Sequence, residues 1–480
     1  MTWQASLDTA RVLVAGAGVT GLAVRDALRG RCGSVRTLDA RRDADFADAS
    51  QIDVGAIDLV VASPGWHPDA DIFKRAAAVG IPVIGEIDLA WHLRVATAAT
   101  GKPAPWLAVT GTNGKTTTVE VLSSILARAN ARVATVGNVG SPLVTAALDP
   151  SYDVFAVELS SFQLHYARDM QALAAVVLNV AQDHLDWHGS MDAYARAKAR
   201  IYQGVTGACV YPVGDVAITS MVQQAHVAPG ARAIGFTRGA PAAGQIGVVD
   251  ALIVDRAFHA GIDDVTRQRF AQELATFDDM AGLAIDGIIP PHSVLDVLAA
   301  TALARAYGVS ADAVHSGLAA FHTGAHRIQK VAQVRGVAYV DDSKATNPHA
   351  AAASLAAQAD GSVVWIVGGL TKGVSFDDLV TQVRPKLAGV VVIGQDQSLI
   401  REALGRHASD VPTAVVDPSE HEAVMLHAVR AAAALARPGQ TVLLAPACAS
   451  MDQFVSYAHR GEAFASAVSE LRGEREIDEE

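Results

Sequence analysis

Short apolar runs alternate with alanine- and leucine-rich stretches along the whole chain. The runs include RVLVAGAG, LVVAS, WLAVTGT, VFAVELS, AAVVLNV, SVVWIVGG, GVVVIG and TVLLAPA. Near-continuous apolar strands that are separated by helices are typical of parallel sheets covered on both faces. One helical stretch, SVLDVLAATALARAYG, has apolar residues at helical spacing and ends at Gly308, a candidate C-cap. The pattern predicts an α/β protein with mostly parallel sheets.

The chain of 480 residues is long enough for about three domains. The stretch ATAATGKPAP at residues 96–105 is rich in small residues and proline, as linkers are. A second, softer boundary falls at FHTGAH, residues 321–326, before a new series of strands and helices. These boundaries predict three α/β domains, over residues 1–98, 99–323 and 324–480.

Composition and charge narrow the class of protein. With 51% hydrophobic and 18% charged residues, the chain has apolar material for several cores and little for long disorder. Its formal charge of −12 disfavours general binding to nucleic acid or anionic membrane, so any phosphate site must be local. No apolar stretch approaches the ~20 residues that span a bilayer, and no secretory signal is visible. We therefore expect a cytoplasmic protein with no nucleic-acid partner and no membrane insertion.

The first glycine-rich loop follows the strand RVLVA and opens a helix. Gly16, Gly18 and Gly21 match G-x-G-x-x-G, and Asp39 comes after the next strand. Backbone amides and a helix N-terminus at such a turn face a pyrophosphate, which indicates a nucleotide or dinucleotide. Two alternatives stay open on this motif alone: glycines that only make a tight turn, and an NAD-dependent oxidoreductase.

The second glycine-rich loop, TGTNGKTT at residues 110–117, lies between the strand WLAV and a helix. A phosphate chain needs backbone N–H donors, a lysine charge and a hydroxyl that reaches Mg²⁺, and this loop supplies all three. It is not a strict Walker A sequence, because Val109 stands where the first glycine is usual. We interpret it as a site for ATP or a similar triphosphate, for which a dehydrogenase has no use.

Hard oxygen ligands for Mg²⁺ follow two later strands. Glu158 ends VFAVE, and Asn179 is followed closely by Asp183 and His184. Because open α/β sheets bind ligands at the carboxyl ends of their strands, these residues are expected to converge on the Lys115 loop. By pattern alone His184 could equally be an ordinary histidine, and Lys198 reads as a solvated lysine on a helix.

The motifs together resemble a known family. TGTNGKTT, ELSSFQL, DH-x-D followed by YARAKARIY, HRIQ, DDSKATN, GG-x-x-KG, and APACASMDQF with RGEAF occur in that order, from Gly16 to about Phe464. The chain resembles the Mur ligases of peptidoglycan synthesis over nearly its whole length. DSKATN and ACAS-x-DQF favour the branch that adds D-glutamate to UDP-N-acetylmuramoyl-L-alanine, whereas TGTNGKTT alone indicates a wider superfamily that includes folylpolyglutamate synthases.

The resemblance implies an ATP-dependent, ADP-forming amide ligase that works through an acyl phosphate and a tetrahedral intermediate. It also implies a Rossmann-like N-terminal domain for UDP, a central P-loop-type ATPase domain and a Rossmann-like C-terminal domain for the amino acid, in a chain expected to be a monomer. The first glycine loop is thereby reassigned from NAD to a UDP-sugar. The implied contacts to the UDP-muramoyl substrate are Gly18, Val19, Thr20, Asp39, Arg41, Ser63, Gly65, Asn138, Ser160 and Gln163.

The resemblance also implies the ATP, metal and catalytic residues. The implied ATP contacts are Gly111, Thr112, Asn113, Gly114, Lys115, Thr116, Thr117, Asp296, Arg327 and Asp342. Two Mg²⁺ ions are expected at Thr116, Glu158, His184 and Lys198, the last as a carbamylated lysine that supplies an extra carboxylate. Lys115, His184 and Lys198 are the expected catalytic residues. They would stabilise the negative charge on the transferred phosphoryl group.

Five residues of the last domain match the glutamate-contacting positions of the family: Lys344, Thr346, Lys372, Ser450 and Tyr457. Two lysines suit a substrate with two carboxylates. An alternative for DDSKATN is a plain helix N-terminus that Ser343 or Thr346 caps. The chain departs from the family where Ser293 and Asp296 replace two asparagines that approach adenine.

Three other functions are alternatives to the addition of D-glutamate. The first is another member of the superfamily, an L-alanine-adding ligase or a folylpolyglutamate synthase. The second is the NAD-dependent oxidoreductase. The third is a non-catalytic nucleotide-binding protein, which would need none of Lys115, Glu158, His184 and Lys198.

Overall fold

The computed structural model describes residues 3–261, 264, 268–284, 288–322, 326–372, 374–419 and 423–477. The predicted boundary between residues 323 and 324 lies outside these described residues. Contacts between residues divide the chain into two compact units. The first unit is Met1–Val180 with Asp192–His322, and the second is Ala181–Met191 with Thr323–Glu480.

The first unit begins with a four-stranded parallel sheet. Its strands are β1 (Arg11–Ala15), β2 (Ser34–Leu38), β3 (Leu59–Ala62) and β4 (Val83–Gly85), in the order β2-β1-β3-β4. The connecting helices are α1 (Val19–Leu28), α2 (Asp71–Ala78) and α3 (Glu86–Leu93). All four residues of β3 are buried, as expected for a strand that is covered on both faces.

The same unit continues into a nine-stranded sheet, ordered β13-β12-β11-β10-β9-β8-β5-β7-β6. Its strands are β5 (Trp106–Thr110), β6 (Val133–Gly137), β7 (Val154–Glu158), β8 (Ala174–Val177), β9 (Ala208–Pro212), β10 (Arg232–Phe236), β11 (Gln245–Val249), β12 (Leu252–Asp255) and β13 (Gln272–Thr276). The pairs β11/β12 and β12/β13 are antiparallel, and the other pairs are parallel. The antiparallel strands lie in residues 245–276, where the sequence carries no recognisable chemical motif.

The helices of this part of the chain are α4 (Lys115–Arg128), α5 (Leu143–Ala147), α6 (Ser161–Tyr166), α7 (Leu185–His188), α8 (Met191–Ala199), α9 (Val216–Gln223), α10 (Pro291–Tyr307) and α11 (Ala311–Ala319). Of these, α7 belongs to the second unit. The expected C-cap of α10 is confirmed, since Gly308 follows it with a φ of +100°.

The first two sheets share one hydrophobic core. Val12 and Val14 of β1 belong to the same cluster of buried side chains as Phe155 and Val157 of β7. A second cluster covers the other face of the nine-stranded sheet under α4, α10 and α11. The contacts place both sheets in a single compact unit. A domain boundary at residue 98 within this unit stays a prediction.

The second unit contains a six-stranded sheet with the order β14-β15-β19-β16-β17-β18. Its strands are β14 (Gln329–Val334), β15 (Val337–Asp341), β16 (Val363–Gly368), β17 (Leu387–Ile393), β18 (Thr413–Val415) and β19 (Thr441–Leu444). Only β14 and β15 pair in the antiparallel sense within this described sheet. Its helices are α12 (Pro348–Ala356), α13 (Asp377–Val383), α14 (Ser398–His407), α15 (Val424–Leu435) and α16 (Tyr457–Ile477), and separate hydrophobic clusters cover its two faces. The predicted α/β fold with mostly parallel sheets is confirmed.

Candidate active site

The second glycine-rich loop joins the carboxyl end of β5 to the start of α4. All five residues of β5 are buried, and Gly114 is the N-cap of α4 with a φ of +83°, which favours glycine. Asn179, after β8, binds the backbone of Asn113 in the loop through both ends of its side-chain amide. Its Oδ1 accepts from the N–H of Asn113 at 2.9 Å, and its Nδ2 donates to the Asn113 carbonyl at 3.1 Å. The hydroxyls of Thr112 and Tyr194 are 3.1 Å apart. The loop is thus fixed by neighbouring elements.

Two lysines meet at this loop. Lys115 donates from Nζ to the carbonyls of Gly111 and Thr112 at 2.9 and 2.8 Å. Lys198 donates from Nζ to the same Gly111 carbonyl at 2.7 Å, and its side chain passes over the Tyr194 ring. Lys198 is only 2% exposed, so the interpretation as a solvated helix lysine is wrong. The side chains of both lysines thus converge on one carbonyl of the loop.

Asp296, near the start of α10, is buried against the second glycine of the loop. A Cβ atom added to Gly114 would lie 2.2 Å from Oδ1 of Asp296 and 2.9 Å from its Cγ. Thr116 and Thr117 lie in the first turn of α4, where Thr117 is buried. The expected ATP contacts of the first unit therefore occupy one region at the carboxyl end of β5.

Glu158 ends β7, the strand next to β5, and its side chain is 1% exposed. Its Oε1 accepts from Asn138 Nδ2 at 2.8 Å, while its Oε2 is buried and has no hydrogen-bond partner among the described residues. A buried carboxylate oxygen without a partner is costly unless a cation or a donor completes it. Together with the Thr116 hydroxyl, this carboxylate provides the hard oxygen donors that Mg²⁺ prefers. Glu158 therefore fits the expected metal site.

The other expected contacts to the UDP substrate follow the strands of the first sheet. Gly18 and Val19 start α1 after β1, Asp39 follows β2, and Ser63 follows β3. Asp39 accepts from the backbone N–H of Ala17 at 2.8 Å, which ties the first two loops together. Thr20 lies in the first turn of α1, and Arg41 and Gly65 lie in the loops after β2 and β3. Three adjacent parallel strands thus present these residues at one edge, as ligand sites of α/β sheets require.

Ser160 and Gln163 have a structural role in addition to the predicted contact with substrate. Ser160 is the N-cap of α6, and its Oγ accepts from the N–H of Gln163 at 3.2 Å. The Gln163 Oε1 accepts in turn from the N–H of Ser160 at 2.9 Å. This reciprocal capping box stabilises the helix that begins just after Glu158.

In the second unit, three loops at the carboxyl ends of β15, β19 and β16 are joined by backbone hydrogen bonds. Ala447 N–H donates to the Ala345 carbonyl, and Leu370 and Ala449 exchange two hydrogen bonds at 2.9 and 3.1 Å. These loops carry the expected glutamate contacts Lys344, Thr346, Lys372 and Ser450. The Lys344 ammonium lies 5.1 Å from the centre of the ring of Tyr457, the fifth expected contact. The five residues therefore share one edge of the sheet.

The alternative caps suggested for the helix after DDSKATN are wrong. Asn347 is the N-cap of α12, because its Oδ1 accepts from the N–H of Ala350 at 2.9 Å. Ser343 instead donates from Oγ to the carbonyl of Tyr457 at 2.7 Å. Thr346 and Ser343 are thus not the caps that the sequence pattern allowed.

Asp342 and Arg327 are the expected ATP contacts of the second unit. Burial raises the pKa of Asp342 to about 7, while hydrogen bonding from the Ser354 hydroxyl and the nearby Arg327 charge act in the opposite direction. The neighbouring Asp341 pairs with Nδ1 of His326 at 2.6 Å. The side chain of His326 is thus tied to Asp341, the last residue of β15.

Two residues that are not among the expected contacts to substrate, ATP or metal organise these loops. Arg460 of α16 is fully buried and donates to Ser343 Oγ, the Ser343 carbonyl and the Cys448 carbonyl at 2.9, 2.8 and 3.1 Å. Burial lowers the pKa of this guanidinium to about 10. Asp183 accepts from Nζ of Lys372 at 3.3 Å and from the backbone N–H of His184 at 2.9 Å. In the sequence, only the motif RGEAF pointed to Arg460 and only the motif DH-x-D pointed to Asp183.

The expected site residues are thus gathered in two groups. Lys115, Lys198 and Glu158 belong to the first unit, and His184 belongs with Lys372 to the second. Over the part of the chain that the structure describes, no three His, Cys, Asp or Glu side chains come together as a metal cluster. No helix in those same ranges is long and apolar enough to cross a membrane.

A cavity of about 450 Å³ in the first unit lies away from the glycine loop. Its lining includes Asp88, Trp91, Arg168 and Met170, the last two in the segment that precedes β8. The ring of Trp91 packs against Trp106, the first residue of β5. This cavity therefore lies at the amino ends of the central strands, opposite the expected ATP site.

Comparison with known proteins identifies the family. The Mur ligase middle domain matches residues 109–304, and the glutamate ligase domain of Mur ligases matches residues 326–448. The UDP-N-acetylmuramoylalanine--D-glutamate ligase of Streptomyces coelicolor is 52% identical over 96% of this chain and 98% of its own length. The chain belongs to the Mur ligase family. The enzyme of the same name from Mycolicibacterium smegmatis is 44% identical over 96% of each chain.

Solved structures of Mur ligases and of folylpolyglutamate synthases share the fold of this chain. The MurF ligase of Thermotoga maritima, crystallised with ADP, has a TM-score of 0.56 at 17% identity and covers 98% of this chain and 97% of its own. The folylpolyglutamate synthase of Mycobacterium tuberculosis has a TM-score of 0.53 at 16% identity and covers 81% of this chain and 94% of its own. At these identities the likeness concerns the fold alone.

Proposed function

We propose that this Mur ligase joins D-glutamate to UDP-N-acetylmuramoyl-L-alanine in the synthesis of peptidoglycan precursors, with conversion of ATP to ADP and phosphate. The observation that carries the proposal is the 52% identity to a D-glutamate ligase over 96% of the chain. Four solved structures, of a murein peptide ligase, a UDP-N-acetylmuramate-alanine ligase and two MurF ligases, are 15–21% identical to this chain. The chemistry of the two groups of site residues supports the same activity.

A carboxylate is a poor acyl donor, so the L-alanine carboxylate must be activated before an amide bond can form. Its oxygen attacks the γ-phosphorus of ATP, ADP leaves, and an acyl phosphate results. The D-glutamate amine then attacks the carbonyl carbon, and phosphate leaves from the tetrahedral intermediate while the amine loses a proton. The protein must therefore stabilise the negative charge that spreads over the transferred phosphoryl group.

Lys115 is the residue we assign to that charge in the first unit. Its ammonium is held at the mouth of the loop by the carbonyls of Gly111 and Thr112, so it is positioned before any phosphate arrives. A triphosphate that follows the loop amides would find this donor already oriented, which lowers the cost of reorganisation at the moment of transfer. Asp296, Arg327 and Asp342 complete the proposed nucleotide site.

We assign Thr116 and Glu158 to one Mg²⁺ and His184 with a carbamylated Lys198 to a second. Bound Mg²⁺ would neutralise phosphate oxygens and so favour phosphoryl transfer. The unpartnered Oε2 of Glu158 supports the first assignment. Carbamylation joins the neutral amine of Lys198 to CO₂ with loss of a proton, and it would place a carboxylate where two ammonium groups now converge on the Gly111 carbonyl.

The amino acid is proposed to bind in the second unit, at Lys344, Thr346, Lys372, Ser450 and Tyr457. Two lysines on loops that are tied together can take the two carboxylates of glutamate. The UDP-sugar is proposed to bind along the carboxyl edge of β1–β3. Most of the proposed contacts to the UDP-sugar, to ATP and to the amino acid then lie in the predicted domains 1–98, 99–323 and 324–480, respectively. We propose that the enzyme is a monomer that works in the cytoplasm.

A panel of amino acids and acceptors tests the proposal. The protein is incubated with ATP, Mg²⁺ and one acceptor, which is UDP-N-acetylmuramoyl-L-alanine, UDP-N-acetylmuramate or a folate. Each acceptor is combined with D-glutamate, L-glutamate or L-alanine, and the products are measured by mass. We expect addition of one glutamyl residue with D-glutamate only. Addition of L-alanine to UDP-N-acetylmuramate, or of glutamate to a folate, would assign the chain to another ligase, and a fluorescence change with NAD(P)H would support the oxidoreductase.

A further inference from the structure

Asp183 contacts two predicted site residues, Lys372 and His184, but is not itself among the expected contacts to substrate or metal. It belongs to the segment Ala181–Met191, which joins the second unit although both chain neighbours of that segment lie in the first. The whole residue is 5% exposed. In the same unit, Lys372 follows β16 in the loop GGLTKG. Lys372 therefore pairs with the carboxylate of Asp183, which is far from it in sequence.

The contacts of Asp183 are specific to each of its oxygens. Its Oδ1 accepts from Nζ of Lys372 at 3.3 Å and from the N–H of His184 at 2.9 Å, and its Oδ2 lies 3.5 Å from Nε2 of His184. The two partners have left-handed backbone conformations, with φ of +55° at Lys372 and +54° at His184. Non-glycine residues adopt this conformation at an energetic cost, and residues of this kind cluster at functional sites.

The pair formed by Asp183 and Lys372 is partly exposed on its lysine side, while the Asp183 side chain itself is 7% exposed. The Lys372 side chain retains 13% of its exposure and the His184 side chain 27%. A positive and a negative group side by side at an accessible edge match an α-amino acid, whose carboxylate and ammonium are attached to one carbon. Lysine alone cannot distinguish such a substrate from a plain dicarboxylate, because it offers donors only.

We propose that Asp183 is a specificity residue that binds the α-ammonium of the incoming amino acid, while Lys372 binds a carboxylate of the same molecule. This inference rests on the proposed function, since it names what recognises the nucleophile. With the ammonium at Asp183, the nitrogen that must attack lies beside His184, the residue assigned to the reacting phosphoryl group. Asp183 would then select amino acids and orient the nitrogen.

The test compares glutamate with glutarate, which has both carboxylates but no amine. With ATP and the UDP-sugar saturating, KM is measured for D-glutamate and Ki for glutarate as a competitive inhibitor. In Asp183→Asn we expect KM for D-glutamate to rise about 10- to 100-fold, as for the loss of one charge-assisted hydrogen bond. Glutarate should bind equally well or more tightly, because a carboxylate that repels it has been removed.

Two further variants sharpen the comparison. Asp186→Asn removes an exposed carboxylate from the same segment and should leave the ratio of glutarate Ki to glutamate KM as in the wild type. Asp183→Glu keeps the charge and should retain more of that ratio than Asp183→Asn. An unchanged KM, or an equal weakening of glutamate and glutarate, would overturn the proposal.

Failure of the proposed function would look different. Hydroxylamine traps an acyl phosphate without using an amino-acid site, so the wild type should form a hydroxamate from ATP and the UDP-sugar. A wild type that forms neither hydroxamate nor glutamyl product contradicts the ligase assignment itself. A wild type that forms both, with a ratio that Asp183→Asn does not change, contradicts only the role of Asp183.

Discussion

Gly114→Ala probes the loop between β5 and α4 without removing a charged group. The glycine has a φ of +83°, and a left-handed conformation costs a residue with a Cβ ~1–2 kcal/mol. The new Cβ would also lie 2.2 and 3.0 Å from the two carboxylate oxygens of Asp296 and 2.9 Å from its Cγ. Rotation of the carboxylate cannot relieve the clash, because the Cγ atom itself is too close. Overpacking of this kind adds ~1–3 kcal/mol, so we expect a total cost of ~2–5 kcal/mol.

Gly244→Ala is the matched control for this variant. Gly244 has the same φ of +83°, but an added Cβ would meet nothing within 4 Å, so only the backbone cost of ~1–2 kcal/mol applies. Urea unfolding of both variants separates the two costs, and KM for ATP should rise only in Gly114→Ala. The double variant Gly114→Ala with Asp296→Ala should recover the part due to the clash. If Gly114→Ala is no less stable than Gly244→Ala, the described packing of Asp296 against the loop is wrong.

Three other predictions address single side chains. Lys115→Ala should lower kcat at least ~100-fold, as for loss of one transition-state donor, and near-normal turnover would refute its role. Lys198→Ala should regain part of its activity when short carboxylic acids are supplied, whereas no rescue at any concentration would contradict the carbamate. Burial raises the pKa of Glu86 to about 7, against hydrogen bonds from the N–H groups of Val144 and Leu143, so the folded state binds this proton more tightly than the unfolded state. The contribution of Glu86 to stability should therefore be greatest below pH ~4 and fall by up to ~3 kcal/mol as pH rises to ~7, so the difference in urea stability between wild type and Glu86→Gln should change with pH by that amount.

Much of the fold could be predicted because its strands are short, apolar and separate. The eight runs singled out in the sequence all contain strands, namely β1, β3, β5, β7, β8, β16, β17 and β19. Their carboxyl ends bring Glu158 and Asn179 to the Lys115 loop, as the topology of parallel sheets requires. The family resemblance drawn from the ordered motifs is confirmed by the full-length relatives.

Other features depend on contacts between distant parts of the chain, which no local pattern encodes. Nothing near Asp183 in sequence indicates that its segment joins the second unit and pairs with Lys372. The burial of Lys198 was missed because lysine on a helix is usually solvated, although Tyr194 and Ile201 lie on the same helical stripe and are buried. The cap at Ser160 and Gln163 could have been read from the spacing S-x-x-Q. The roles of the individual site residues stay predictions.

The central claim is that ATP activates the acceptor carboxylate by phosphoryl transfer, and isotope transfer tests it most directly. UDP-N-acetylmuramoyl-L-alanine labelled with ¹⁸O in its carboxylate is converted with ATP and D-glutamate, and the inorganic phosphate is analysed by mass. We expect ADP and a phosphate that carries one ¹⁸O atom, because the carboxylate oxygen that attacks phosphorus leaves with it. Unlabelled phosphate, or AMP that carries the label, would contradict the account.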